Sequence, residues 1–158
     1  MAFEKDNPDV VAPPPLIFLG GLILGGIAQW IYPFYIFSPE YLFYSGIAGI
    51  LLSVFGLVII LIARSKMQKA ETNIEPWKPT NAIISDGIYA FSRNPIYLAM
   101  ALIFYGIKLI FNSVWFTPAL VLVLIVIHYG VILREEKYLE NKFGELYLNY
   151  KDRVRRWI

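Results

Sequence analysis

The chain has 158 residues, 58% of them apolar and only 16% charged, with a mean hydropathy of +0.56. A soluble domain carries about 25% charged residues and a disordered chain needs low hydrophobicity, so neither class fits. With no cysteine and one histidine there is no disulfide framework, no thiolate nucleophile and no Cys-based or multi-His metal site, and a formal net charge of +2 is too small for a nucleic-acid binder.

In chain order, residues 1–15 read as a flexible arm. Acids surround its one lysine, Lys5, and Pro13-Pro14-Pro15 stands where a signal peptide would have its apolar core. Residues 16–158 read as a single membrane domain. Charged residues are missing from Val10 to Pro39, from Tyr41 to Ala63, from Asn94 to Ile107 and from Leu109 to Leu133. A helix needs about 20 apolar residues to cross a bilayer core, and soluble helices show a polar face every turn. The expected fold is therefore all-α and polytopic, with about four transmembrane helices near Leu16–Tyr32, Tyr41–Ala63, Pro95–Phe111 and Val114–Leu133. A polar loop and amphipathic C-terminal helices complete it.

Five basic residues lie in segment 64–93 and seven in the tail from Arg134, leaving only Lys5 and Lys108 elsewhere. The positive-inside rule puts both termini and the middle segment in the cytoplasm. Gly21 and Gly25 form a GxxxG pair, and Ser45, Gly49 and Ser53 continue a small-residue stripe, so packing of the first helix on the second is expected. Trp30, Tyr32, Phe34, Tyr35, Phe37, Tyr41 and Tyr44 cluster at the opposite connection, as an interfacial aromatic belt or, more sharply, the lining of a lipid entrance.

The middle segment from Glu75 to Tyr97 is dense in chemistry. Pro76 and Pro79 forbid a continuous helix, Ser85-Asp86-Gly87 is turn-forming, and Ser92 or Asn94 ahead of Pro95 opens the third helix. In the fourth helix His128, Ile132 and Glu135 follow i, i+4, i+7, which places His128 and Glu135 on one face of a regular helix. Ionisable groups at membrane depth are functional candidates; His128 is either a base or a hydrogen-bonding partner of a neighbouring helix. Glu135 and Glu136 are either a solvated helix end or an acidic pair facing a cationic ligand. Beyond them Tyr138, Leu139, Phe143, Leu146, Tyr147 and Tyr150 keep helical spacing among charges, with Gly144 breaking the run. That tail either lies on the membrane surface or folds back as a lid.

Gly87-Ile-Tyr89-Ala-Phe-Ser-Arg93-Asn94-Pro95-Ile-Tyr97 resembles the G-x-Y-x-x-x-R-[HN]-P-x-Y signature of the isoprenylcysteine carboxyl methyltransferase family. Arg134-Glu135-Glu136 through Phe143-Gly144, Tyr147, Tyr150 and Val154 resembles that family's tail. The likeness extends to related phospholipid methyltransferases. It implies an integral membrane methyltransferase using S-adenosylmethionine, whose catalytic half is residues 76–158. The implied cofactor contacts are Asn81, Ala82, Ile83, Ile84, Tyr89, Asn94, Pro95, Ile96, Tyr97, Glu135 and Glu136; His128, Arg93 and Arg134 are the catalytic candidates, and no metal is implied. Arg93 pairs with the cofactor carboxylate or anchors the loop. Asn94 stands where many members have His, and Val131 where the eukaryotic enzymes carry a substrate-binding Arg, which argues against a prenylcysteine carboxylate; His128 and Arg134 are the polar groups near enough to take over part of that role. The expected acceptor is a membrane lipid or lipid-like molecule bearing a carboxylate, amine or thiol. Two other readings stay open: a nicotinamide-dependent enzyme of the sterol-reductase type, and a non-enzymatic four-helix membrane protein. Nothing in the sequence sets an oligomeric state.

Overall fold

The computed structural model describes residues 6–158; Met1–Lys5, the start of the expected arm, lie outside the described residues. Six α-helices follow: α1 (Pro14–Ile31), α2 (Leu42–Lys69), α3 (Pro95–Ile110), α4 (Phe116–Ile127), α5 (Leu133–Phe143) and α6 (Glu145–Arg153). A π-turn over His128–Ile132 joins α4 to α5 without a break. There is no β-strand among the described residues, only a single bridge between Tyr35 and Ser113. Helical rods at Pro14–Ile31, Pro39–Lys69 and Phe116–Phe143 are long and apolar enough to span a bilayer; α3, with 16 residues, is a shorter apolar helix beside them. The protein is a multi-pass membrane protein.

α2 runs to Lys69, beyond the apolar stretch that ends at Ala63. Its 28 residues rise about 42 Å at 1.5 Å each, against a hydrocarbon core of about 30 Å. Hydropathy marks where the membrane ends, not where the helix does. Lys66 and Lys69 in its last turn favour continuation because they face the negative end of the helix dipole. The extension carries Lys66 to Asp86, with which it forms an ion pair.

The small residues pack differently from the expectation. α1 lies on α4, and α2 on α3. A Cβ at Gly21 would sit 2.3 Å from a methyl of Val123, and one at Gly25 would sit 3.0 Å from the Phe116 ring. A Cβ at Gly49 would meet the Gly106 carbonyl at 2.5 Å, and one at Gly56 the Ala99 carbonyl at 2.8 Å. Small residues announce a close approach without naming the partner. The groove of α1 is filled by bulky side chains of α3 and α4, whereas α2 and α3 meet backbone to backbone. Phe18, Phe104, Phe116, Ile127, Val131 and Ile132 form the core between them.

Residues 6–13 lie across the last long rod. The Val11 N–H donates to the Gly130 carbonyl at 3.1 Å, Arg134 donates to the Asp9 carbonyl at 2.7 Å, and the Asp6 carboxylate accepts from Lys142 and Tyr138. At Gly144 the backbone takes a positive φ of 53°, a region glycine enters without a Cβ penalty. That turn stops α5, folds α6 back, and buries Tyr147, Tyr150 and Val154 against Ile83, Leu139 and Phe143.

Candidate functional site

The basic end of the bundle holds a cavity of about 270 Å³, walled by the loop between α2 and α3, the first turns of α3, and the tail helices α5 and α6. Each wall has a local cause. The loop from residue 70 to 86 is knotted on itself: Asn73 donates to the Pro79 carbonyl at 2.7 Å, and the Asn81 N–H and side-chain amide donate to Thr72 Oγ1 and the Glu71 carbonyl, both at 2.9 Å. The Thr80 N–H donates to the Tyr138 hydroxyl at 3.2 Å and fixes the knot to α5. Ala82, Ile83 and Ile84 then line the cavity as an apolar wall.

Pro95 starts α3 as its first helical residue, where its missing N–H costs nothing and its fixed φ is already helical. Its first turn thereby presents Asn94, Pro95, Ile96 and Tyr97 to the cavity. α5 supplies Glu135 and Glu136, and the short 3₁₀ turn Gly87–Ala90 supplies Tyr89.

The two adjacent glutamates have different fates. Glu136 is buried and accepts a two-pronged pair from Arg156, Nε to Oε1 at 2.8 Å and Nη2 to Oε2 at 2.7 Å; Arg93 Nη2 stands 3.3 Å from the same carboxylate. Glu135 accepts a hydrogen bond from the Tyr97 hydroxyl at 2.8 Å and has no lysine, arginine or histidine paired with it among the described residues. Arg93 has the contacts of an anchor: it pairs with Glu136, its Nη1 lies 3.4 Å from the Tyr147 hydroxyl, and its backbone N–H donates to the Arg155 carbonyl at 3.0 Å.

Among the described residues two buried side-chain polar atoms have no hydrogen-bond partner, the Tyr89 hydroxyl and Arg93 Nε. An unsatisfied buried polar group costs about 1–3 kcal/mol. Burial pushes the Tyr89 phenol well above its usual range, with Tyr150 and Glu135 adding to the effect. Burial also raises Tyr147 to about 12, with Glu136 second, and raises Tyr150, whose hydroxyl donates to the Tyr89 carbonyl at 2.8 Å. All three phenols are therefore neutral donors at physiological pH and none is a phenolate base.

Three of the residues singled out from sequence do not line the cavity: Asn81, His128 and Arg134. Asn81 is turned into the loop knot by its two hydrogen bonds. Arg134 is exposed and holds Asp9. His128 packs edge-on against Tyr129. Its expected shared face with Glu135 assumed regular α-helical spacing, and the π-turn that begins at His128 inserts an extra residue and rotates everything beyond it. Conversely the cavity wall includes groups not singled out as site residues: Met67, Trp77 and Met100, the prolines Pro8, Pro14 and Pro15, and the tail aromatics Tyr138, Tyr147 and Tyr150. The tail aromatics carried a signal in their helical spacing; the prolines carried none. Among the described residues no group of three His, Cys, Asp or Glu side chains could hold a metal ion.

The structure is a multi-pass helical bundle with a polar-roofed cavity at its basic end, on whose wall lie a carboxylate and a phenol without a cation or hydrogen-bond acceptor, respectively, among the described residues. The family profile described as phospholipid methyltransferase matches residues 44–146, from the start of α2 into α6. The chain belongs to that family, a family of membrane methyltransferases. An uncharacterized protein of Haemophilus influenzae is 38% identical over 63 residues, a stretch equal to 40% of this chain and the whole of that protein. No solved structure matches.

Proposed function

We propose that this protein transfers a methyl group from S-adenosylmethionine to a membrane-borne, lipid-like acceptor carrying a carboxylate, amine or thiol, and that the transfer takes place in the cavity under the loop and tail. The observation that carries the reading is the pair Glu135 and Tyr89: among the described residues, a carboxylate with no cation partner and a buried hydroxyl with no acceptor, both on the wall of one cavity. They suit a donor with a charged amino group and many hydroxyl and ring acceptors. The charge asymmetry of the sequence supports a cytoplasmic position for this end and both termini.

When bound, the cofactor supplies a sulfonium-activated methyl group for in-line displacement. The chain's own task is to hold the partners in line and keep water out. Tyr97 holds Glu135 by its hydroxyl, so that the carboxylate is oriented for the donor's ammonium. Tyr89 offers its hydroxyl, and Ala82, Ile83, Ile84 and Ile96 give an apolar bed for the adenine. Glu75 is paired with Lys78 and Glu136 with two arginines, so Glu135 is the cavity carboxylate left to receive the donor's ammonium.

Purified protein incubated with labelled-methyl cofactor and a membrane lipid extract should yield a labelled lipid by mass analysis. Calorimetry run beside it should show adenosylmethionine binding. Binding of a nicotinamide dinucleotide in its place, or of neither ligand, would sink the reading.

A further inference from the structure

The strongest unassigned feature is the segment 154–158 and its grip on the cavity loop. Arg156 does not line the cavity, yet three strands of contact run through it. Its guanidinium grips Glu136 with both prongs, at 2.8 and 2.7 Å. Its carbonyl accepts from the Asn94 amide at 3.0 Å and from the Ser92 hydroxyl at 3.4 Å. The neighbouring Arg155 carbonyl accepts the Arg93 N–H at 3.0 Å, and Trp157 packs on the main core. The segment thus bridges the Ser92–Asn94 loop and the α5 helix, the two elements that present Tyr97 and Glu135 to each other.

The charges close as well. Glu135, Glu136, Arg93 and Arg156 are two carboxylates and two guanidiniums. With both guanidiniums on Glu136, Glu135 is left to the cavity. Without the Arg156 guanidinium, Arg93 alone would face two adjacent carboxylates, and the backbone carbonyl of residue 156 that holds the Asn94 amide would lose its tie to α5. A buried carboxylate stripped of one partner is a costly arrangement that neighbouring groups shift to relieve.

We infer that Arg156 is a positioning residue for methyl transfer: by clasping Glu136 and the Ser92–Asn94 loop together, it sets the geometry of Glu135, Tyr89 and Tyr97 around the donor. The inference rests on the methyltransferase reading for its kinetic arm and is independent of it for its structural arm.

The structural arm is hydrogen exchange on the intact protein in detergent without ligand. R156Q should speed exchange across residues 87–97, the amide of Arg93 above all, while amides of α1 and of the middle of α2 keep their protection. R155Q removes the same charge from an exposed side chain and should leave the pattern as in the wild type. Unchanged exchange at 87–97 in R156Q overturns the clasp.

The kinetic arm reads donor and acceptor separately. R156Q should raise KM for the donor by about tenfold, the worth of a charge-assisted hydrogen bond, with KM for the acceptor within about twofold. R156K, which keeps the charge but not the two-pronged fork, should recover part of the loss, and it carries the test if R156Q fails to fold. Donor KM equal to the wild type in R156K and R156Q, or equal losses for donor and acceptor, overturns the positioning role. A wild-type protein that binds no adenosylmethionine refutes the methyltransferase reading and this role in it, while the exchange result still decides the clasp.

Discussion

The two ends of the bundle use polar residues in opposite ways. At the end away from the cavity, Asn112 leaves α3 with a positive φ of 51° and its side-chain amide clamps Phe37 from both sides, accepting from the N–H at 2.9 Å and donating to the carbonyl at 2.8 Å. Ser113, fully buried, donates to Gln29 at 2.7 Å, and the Trp115 indole donates to the Tyr32 carbonyl at 2.6 Å. The buried polar side chains of Asn112 and Ser113 find partners within the chain. At the cavity end, Tyr89 and Arg93 each keep a buried atom without one among the described residues, and no cation among those residues pairs with Glu135. Satisfied polar groups hold an end shut; on the function proposed above, the unsatisfied ones are where the donor binds.

That contrast can be broken at either end. The largest effect is expected for E135Q, which should weaken donor binding by about 10- to 100-fold, the range of hydrogen bonds to charged groups, with little change in thermal stability; calorimetry and a melting curve read the two quantities. N112A should do the reverse. It leaves the Phe37 N–H and carbonyl without their partner and should lower stability by about 1–3 kcal/mol, with donor affinity within about twofold. Equal effects of the two variants on binding would erase the distinction between the ends.

Y89F sharpens the contrast within one end. It deletes a hydroxyl that is unsatisfied without ligand, so the free protein should gain up to about 1 kcal/mol of stability, while the melting-temperature increase produced by saturating donor should shrink. A loss of stability in the free protein would show that the hydroxyl already has a partner.

The smallest effect concerns Asp6. Its hydrogen bonds to Lys142 and Tyr138 hold its carboxyl below the usual aspartate range. A group whose pKa is depressed on folding stabilises above its unfolded pKa of about 3.9 and loses that contribution as pH falls through the lower folded value. Exchange of the Val11 amide should therefore be steady from neutral pH down to about 5 after correction for the intrinsic rate, then rise with acid. In D6N that acid-dependent rise should be absent, and its persistence would assign the effect to another group.

Much of this arrangement was legible beforehand. Long uncharged runs can only be buried in lipid or core, so the spanning segments followed from charge alone, and the break at Gly144 followed from the glycine. The proline-punctuated loop and the glutamate pair stood out because both are costly beside a membrane without a purpose, and eleven of the fourteen site residues named from sequence line the cavity. The three that do not line it have different local reasons: Asn81 bonds within its own loop, Arg134 holds Asp9, and His128 stands at the start of the π-turn.

Sequence by itself thus determined the solvent of each segment, because transfer free energy is a sum over local composition. It also determined which residues were too polar for their place. Tertiary structure decided the partners: that α1 seats its glycines on α4 rather than α2, that a π-turn turns His128 away from Glu135, and that Arg156 takes Glu136 so that Glu135 stays unpaired. Those choices depend on shape complementarity and on competition among several like-charged groups for the same ion. Neither is a property of any one stretch of chain.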